Sequence, residues 1–401
     1  MRCSSLHDVV RRMAQAPESV GTQIEGCAVF AGISPLDIDA QRSAGEVGAP
    51  EAVVAALRAF VGHVALEEVA CQAIFSLAWE SGGNQKRAAV AGGVGAVARV
   101  LARDGLPEAS TDAALLALRA LVIRSARNKA EAAELGVVKV VVGILKASLG
   151  KASLAEQSAS ALHALLRDDV CNQATAGQAG AGKLLVAAMR RHSKAEGLQA
   201  ACAEALQNLV FQNAENQALA AQAYAVEAVL SAMRSHPGSH LVHEHACGAL
   251  WNLIADHPAN MAMAQAGSAE ALVVKAIDKF PGHEGVQDNA CGALSLLRIA
   301  SSAAPDPEPA ESATLASRAM MASLMGDSSA GISPFHRYKP PRKGFCTSAR
   351  PLLSPQLAWA VDPGRPPCPP PPRLGALARI AGGARTRAVL PRALLSLSLV
   401  R

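Results

Sequence analysis

The sequence repeats itself every 44 residues, and this period constrains the fold more than any other feature. In the stretch 242–254, VHEHACGALWNLI, apolar residues fall at i, i+4, i+7, i+8 and i+11, which is one stripe of an amphipathic helix. The stripe occurs in seven copies, of which the first, at residues 22–33, matches the pattern least well. One of its positions is alanine in the other six copies: Ala73, Ala117, Ala161, Ala205, Ala249 and Ala293. This register predicts a helical repeat protein whose long helices approach closely at those alanines.

Each unit is predicted to contain three helices. In one copy, residues 84–91 predict a short helix with Asn84 as its N-cap, and Gly92 closes it. A second helix carrying Val97 and Leu101 follows, and a variable loop leads into the long striped helix. The proposed cap recurs as Asn128, Asn172, Asn216 and Asn260, and the glycine as Gly136 and Gly180, with Tyr224 next in the row and Gly267 one residue early. Leu6–Met13 matches a second helix, so the chain is predicted to open within a unit.

Charge and proline content divide the sequence near Ser301. Residues 301–401 hold 16 of the 23 prolines and 13 basic against 5 acidic residues, whereas residues 1–300 hold 25 basic and 28 acidic ones. The overall charge of +5 therefore belongs to the tail, and the repeat body gives no support for nucleic-acid binding. We predict a solenoid over residues 1–300 and a disordered Pro/Arg-rich tail over residues 301–401. An incorrectly predicted coding end is the alternative for the tail.

Cysteine usage and the lack of long apolar runs suggest a location. Cys27, Cys71, Cys247 and Cys291 share one repeat position, which predicts small core side chains. Equivalent residues on stacked helices lie roughly 10 Å apart, beyond disulfide reach. The sequence shows no signal peptide and no run of about 18 apolar residues, so no membrane span is expected. We therefore expect a reducing compartment, the cytoplasm or the nucleus.

Two stretches resemble the armadillo repeat family: ACGALWNLIADHPANMAMAQAGSAEALVVKAI (246–277) and ACAEALQNLVFQNAENQALA (201–220). The family signature A-x-x-A-L-x-N-L ends here in Leu206–Leu209 and in Leu250–Leu253. The resemblance implies an all-α, right-handed superhelical α-solenoid of three-helix repeats that acts as a non-enzymatic protein–protein interaction scaffold. The wording Ala-Cys-x-Ala-Leu is also similar to the armadillo region of leucine-rich-repeat kinases and to vacuolar armadillo scaffolds. An accessory region or fragment of a larger signalling protein such as a kinase is therefore the alternative.

The resemblance also implies a binding groove. In armadillo proteins that bind peptides, the asparagine at the position of Asn208 and Asn252 lines the concave face of the long helices. The groove tryptophan of nuclear-import adaptors would stand at Glu204 and Gly248, so import-signal binding is not expected. We predict a partner-binding groove lined by Asn208, Phe211, Trp251, Asn252, Glu204, Glu244, Phe75 and Trp79. The aromatic residues could instead pack against the next repeat.

An acidic row shapes the expected partner. Glu68, Asp112, Glu156, Glu244 and Asp288 recur at one position near the start of the long helices. This row fits a solvated helix start, which suits the helix dipole, or a strip that attracts a basic ligand. The expected partner is a protein or an extended peptide of basic character.

No motif predicts catalysis, a metal or a cofactor. Gly177–Lys183 spells most of a phosphate-binding P-loop, but Leu184 follows where Ser or Thr is needed, and no strand is expected before it. Four histidines surround one loop without a cysteine pair or acidic partner at ligand spacing: His236, His240, His243 and His245. We expect no catalytic residue, metal, cofactor or small-molecule substrate.

Overall fold

The computed structural model describes residues 5–303, which contain twenty α-helices and no strand. The predicted tail lies outside the described residues from residue 304 onward. The helices are α1 (Leu6–Gln15), α2 (Val20–Ala31), α3 (Ile38–Glu46), α4 (Ala49–Ala59), α5 (Val64–Ala78), α6 (Gly82–Val90), α7 (Gly93–Leu101), α8 (Glu108–Val122), α9 (Ala126–Glu134), α10 (Val137–Ala147), α11 (Ala152–Leu166), α12 (Val170–Gln178), α13 (Ala181–Arg191), α14 (Glu196–Leu209), α15 (Ala214–Gln222), α16 (Ala225–Ser235), α17 (His240–Ile254), α18 (Pro258–Ala266), α19 (Ala269–Lys279) and α20 (Glu284–Ala303).

The helices form one two-helix unit, α1–α2, followed by six three-helix units. The long third helix of each complete unit begins 44 residues after the one before it, at Val64, Glu108, Ala152, Glu196, His240 and Glu284. Consecutive long helices from α2 to α17 pack side by side. The prediction that the chain opens on a second helix is confirmed, because α1 covers Leu6–Gln15 and buries Val9 and Met13.

The predicted stripe forms the core between the long helices. All six alanines of the recurrent alanine position are 0% exposed, and Leu250 is buried beside them. The first copy departs from the pattern, because Val29 is exposed and Phe30 carries the core contact. Among the cysteines of the shared position, Cys27, Cys71 and Cys247 are buried thiols. Cys291 is an exposed thiol, so its prediction as a core side chain is wrong.

The asparagine row does not cap the first helices, and this prediction is wrong. Asn84 is the third residue of α6, and its Nδ2 donates to the carbonyls of Gln41 and Leu77, both at 2.8 Å. The residue before each first helix takes the cap position: Ser81, Ser125, Asp169, Asn213 and His257. In the last four of these units the side chain of the cap residue accepts a hydrogen bond from the backbone N–H of the row asparagine three residues later. The asparagines are instead buried donors that hold the end of the preceding long helix.

In three units a glutamine of the first helix, Gln41, Gln85 or Gln217, donates to carbonyls at the end of the long helix of the same unit. Gln41 Nε2 donates to the carbonyls of Ser76 and Trp79 at 2.9 and 3.0 Å. Gln217 makes the equivalent bonds to Asn252 and Ala255 at 2.7 and 2.9 Å. The last carbonyls of a helix have no partner within that helix. The end of the long helix is therefore capped by a side chain from the first helix of its own unit.

The turn between first and second helices requires a left-handed residue. Gly92, Gly136 and Gly180 adopt φ of 88°, 71° and 80°. Tyr224 follows them in the row with φ 59°, as its position predicts. In the next unit Ser268 adopts φ 56°, whereas Gly267 has φ −79° and ends α18. The prediction that Gly267 closes its helix one residue early is confirmed, and Ser268 takes the left-handed turn position that glycine holds in other units.

Candidate functional site: the long-helix face

Each long helix has one half-exposed side, which we call the long-helix face. Its side chains form rows, because equivalent positions recur on adjacent packed helices. One row contains Phe75, Arg119, His163, Gln207 and Trp251, and another contains Trp79, Ile123, Arg167, Phe211 and Ala255. Four of the eight predicted groove residues, Phe75, Trp79, Phe211 and Trp251, thus fall on two rows. The face as a whole presents aromatic, basic and acidic side chains in a line along the array.

An aromatic and cationic group lies at the α5–α8 end of the face. The rings of Phe75 and Trp79 are 5.5 Å apart at their centroids, as their i, i+4 spacing predicts. Cζ of Arg119, on the next long helix, lies 5.1 Å from the centroid of the Trp79 ring. Guanidinium groups at this distance from an indole face are attracted by the ring quadrupole. Trp79 is therefore engaged by Arg119 and remains half-buried.

The middle of the face is a histidine-centred network. Asn208 Nδ2 lies 2.7 Å from His163 Nδ1, and it donates there because an amide nitrogen cannot accept. The His163 proton therefore resides on Nε2, which lies 3.4 Å from Glu204 Oε1. Burial lowers the pKa of His163 from 6.5 to about 4, although the Glu204 carboxylate acts in the opposite sense. His163 is accordingly a neutral linker at physiological pH.

Trp251 packs against the next long helix through a glycine. A Cβ built on Gly292 would lie 2.5 Å from two indole carbons, so the ring covers a position that only glycine leaves open. Gln207 covers Gly248 in the same way one unit earlier, at 2.6 Å. The indole is nevertheless half-exposed. Trp251 therefore combines a packing contact with an accessible surface, and the alternative that the aromatic residues pack against the next repeat applies to it.

The two predicted groove asparagines donate hydrogen bonds to other residues of the array. Asn208 also donates to the Glu204 carbonyl at 3.2 Å, and Asn252 donates to the Gln207 carbonyl at 2.9 Å. No side chain or backbone N–H of the described residues donates to either Oδ1. Both residues are half-exposed. Each thus offers an acceptor, and Asn252 a second N–H, to a bound chain.

The acidic row is partly withdrawn from solvent. Glu68 accepts a hydrogen bond from Ser110 Oγ at 2.7 Å. Burial raises the pKa of both Asp112 and Glu156. Glu244 lies against Gly285, where a Cβ would approach its carboxylate to 2.4–2.9 Å. The acidic side chains of this row nevertheless lie at equivalent positions of their long helices.

The eight predicted groove residues do not form one pocket. Phe75 and Trp79 lie on and just after α5, whereas Trp251 and Asn252 lie on α17 with three long helices between. Glu204 and Asn208 on α14 both contact His163, which is not among the eight predicted residues. Phe211 follows α14 and is half-buried, and Glu244 lies on α17. A ligand that touches all eight would have to be extended.

The other motifs form no site. Gly177 lies within α12 and Gly180 starts α13, so no strand precedes the P-loop-like sequence. His240 stacks on His283 with centroids 4.1 Å apart, and His243 packs on Phe280. Within residues 5–303 no group of three or more His, Cys, Asp or Glu side chains could hold a metal ion. None of the described helices is long and apolar enough to cross a membrane.

Known proteins share this architecture. The family model described as the LRRK2 ARM repeat matches residues 117–303. An engineered protein of known crystal structure is 19% identical with a TM-score of 0.63, over 74% of this chain and 68% of its own. A designed armadillo repeat protein is 18% identical with a TM-score of 0.53, over 62% of this chain and 99% of its own. No curated protein matches the sequence.

These likenesses define the class of protein. The chain is an all-α repeat solenoid with the armadillo fold. More particularly, residues 117–303 resemble the armadillo repeats of a leucine-rich-repeat kinase, as the sequence analysis expected. At such low sequence identity the structural neighbours show the fold alone.

Proposed function

We propose that this protein is a non-enzymatic interaction scaffold whose long-helix face, the concave side of the array, holds an extended segment of a partner protein. One observation carries the proposal: half-exposed aromatic and polar side chains recur in rows on adjacent long helices. Helix axes in such packing lie about 8–10 Å apart, which two to three residues of an extended chain span. A peptide can therefore meet each unit with a comparable set of atoms.

The chemistry of the face favours a partner with basic residues. Glu156, Glu204 and Glu244 lie along three successive long helices. The free acceptors of Asn208 and Asn252 suit backbone N–H groups, and the exposed part of the Trp251 ring offers apolar area. Binding of a basic segment should weaken as salt screens these charges. We assign no catalytic residue, cofactor or small-molecule substrate to the chain.

Peptide selection tests this proposal. The full chain is used to select binders from a displayed library of random twelve-residue peptides, and the affinities of the selected peptides are measured by fluorescence anisotropy. We expect Trp251→Ala combined with Asn252→Ala to weaken binding at least tenfold. Lys139→Gln, an exposed change on α10 away from the face, is the matched control and should leave binding unchanged. Equal binding by the double variant and the parent would refute the groove assignment.

The family match favours a second candidate. Because residues 117–303 resemble an armadillo region of a kinase, the array could instead position another domain of a larger signalling protein. Isolation of the endogenous polypeptide followed by mass spectrometry distinguishes an independent scaffold from a region of a larger signalling protein. Kinase-domain peptides on a chain longer than 401 residues would support this alternative, and a chain of 401 residues would exclude it.

We place the scaffold in the cytoplasm or the nucleus. The buried free thiols of Cys27, Cys71, Cys202 and Cys247 support a reducing compartment. Imaging of the tagged full chain decides between them. Signal in the secretory pathway would overturn this placement.

A further inference from the structure

Arg119 is a partly desolvated cation with no ionic partner among the described residues. Its Nε is buried without a hydrogen-bond partner, and no described carboxylate lies within 4.0 Å of its guanidinium. Other arginines of the array are engaged: Arg103 pairs with Glu67 at 2.5 Å, and Arg58 donates to the Ala91 carbonyl at 3.0 Å. A charge taken from water without a partner costs free energy. Its persistence on the long-helix face points to a ligand group that completes it.

The surroundings of Arg119 determine which anion fits. The Trp79 ring lies 5.1 Å from Cζ, which fixes the guanidinium plane on one side. The Glu156 and Glu204 carboxylates are the charges that act on Arg119. Their negative potential opposes a phosphate dianion more strongly than a single carboxylate. A planar guanidinium also pairs with a carboxylate through two parallel hydrogen bonds.

We propose that Arg119 binds an aspartate or glutamate side chain of the partner segment, while Glu156 and Glu204 bind basic residues of the same segment. This inference rests on the proposed function of the long-helix face. Arg119 lies on α8, Glu156 on α11 and Glu204 on α14. With two to three extended residues per unit, the basic residues stand about two to three and about four to six positions from the acid. The ligand is therefore a mixed-charge segment with a defined order, not a uniformly basic one.

The aromatic pair contributes to the same subsite. Trp79 holds the guanidinium and is itself held by Phe75 at 5.5 Å. Ligand aliphatic groups next to the acidic residue would cover the exposed parts of these rings. Arg119 would thereby select a negatively charged ligand residue at one position, and Trp79 would hold the guanidinium in the orientation that binds this residue.

A selection in parallel tests the inference. The displayed library is selected against the full chain and against Arg119→Gln, which removes the charge and the guanidinium but keeps a polar side chain. We expect parental binders to carry Asp or Glu at one position with Lys or Arg two to six positions away. Arg119→Gln binders should keep the basic residues and lose the acidic one. Circular dichroism of both proteins checks that the variant is folded.

A double-mutant cycle makes the test quantitative without relying on one protein variant. Replacing the acidic residue of a selected peptide by its amide should weaken binding to the parent at least tenfold. The same replacement should change binding to Arg119→Gln less than twofold, and Arg119→Lys should give an intermediate loss because it keeps the charge but not the paired hydrogen bonds. Equal losses in parent and Arg119→Gln would overturn the inference.

The remaining outcomes separate this inference from the proposed function. If a phosphoserine peptide binds more tightly than its aspartate counterpart, the carboxylate assignment is wrong. If selected peptides depend on Trp251 and Asn252 but not on Arg119, the inference fails and the proposed function stands. If the selected peptides depend on no residue of the long-helix face, both fail.

Discussion

Replacement of Asn216 by alanine should destabilise the array more than any exposed asparagine change. Asn216 is 2% exposed, and its Nδ2 donates to the carbonyls of Gln173 at 3.0 Å and Leu209 at 2.7 Å. Asn216→Ala leaves both carbonyls buried and unpaired, and each such group costs about 1–3 kcal/mol. We therefore expect a loss of about 2–5 kcal/mol in the free energy of unfolding, a large part of the 5–15 kcal/mol typical of a domain.

Asn252→Ala is the matched control for this prediction. Asn252 is half-exposed and makes one hydrogen bond, at 2.9 Å to the Gln207 carbonyl. Water can replace that donor, so the expected loss is under about 1 kcal/mol. Urea unfolding followed by circular dichroism at 222 nm measures both variants against the parent. Equal midpoints for Asn216→Ala and the parent would refute the buried-clamp reasoning.

Three further predictions concern the core, the pH dependence and the groove. Leu250→Ala should lower the free energy of unfolding by about 2–5 kcal/mol and Ala249→Leu by about 1–3 kcal/mol, as urea titrations would show; parental values for both would refute the stripe assignment. Because burial lowers the pKa of His163 from 6.5 to about 4, the unfolded chain binds a proton that the folded chain does not. Stability should therefore fall by up to about 3 kcal/mol as pH drops from 6.5 to 4, and a His163→Gln variant with the same pH slope would contradict this. Trp251→Ala should both lower the melting temperature, because the indole packs on Gly292, and weaken peptide binding at least tenfold. A lower melting temperature with unchanged binding would leave Trp251 only the packing role and contradict its place in the groove.

The core of the solenoid could be predicted because two periods act together. Helical spacing defined the stripe, and the 44-residue period placed it on adjacent helices, so Ala249 and Leu250 were expected in the core and lie there. The asparagine row failed for a definable reason. Asparagine suits helix caps, but Ser125 and Asp169 stand three residues before their asparagines and are capping residues too. Reading the two rows together would have placed the caps correctly.

Some backbone features gave no signal in the sequence. A residue two or three positions after the long helix adopts φ between 48° and 56° in five units: Glu80, Arg124, Asp168, Gln212 and Asp256. The left-handed region favours glycine, which occurs at none of these positions, and only Asp168 and Asp256 are of a type enriched there. Packing of each unit on the next imposes this turn, so local preference could not reveal it.

The candidate site was predicted in part for a geometrical reason. Comparison at 44-residue spacing finds rows on the face, but side chains touch across units at a spacing of 41 residues, as His163 with Glu204 and Trp251 with Gly292 do. That offset depends on the tilt between packed helices, which composition and periodicity do not reveal. The unpaired Arg119 likewise became visible only once the distances to Trp79 and the carboxylates were known.

Hydrogen–deuterium exchange of the full chain with and without a selected peptide tests the central claim most directly. It locates the surface of the protein that the bound peptide covers, without altering any residue of the protein. We predict slower exchange in the long helices α8, α11, α14 and α17, with the second helices α10, α13 and α16 unchanged. Protection confined to the second helices, or to the loops between units, would contradict the assignment of the long-helix face as the binding surface.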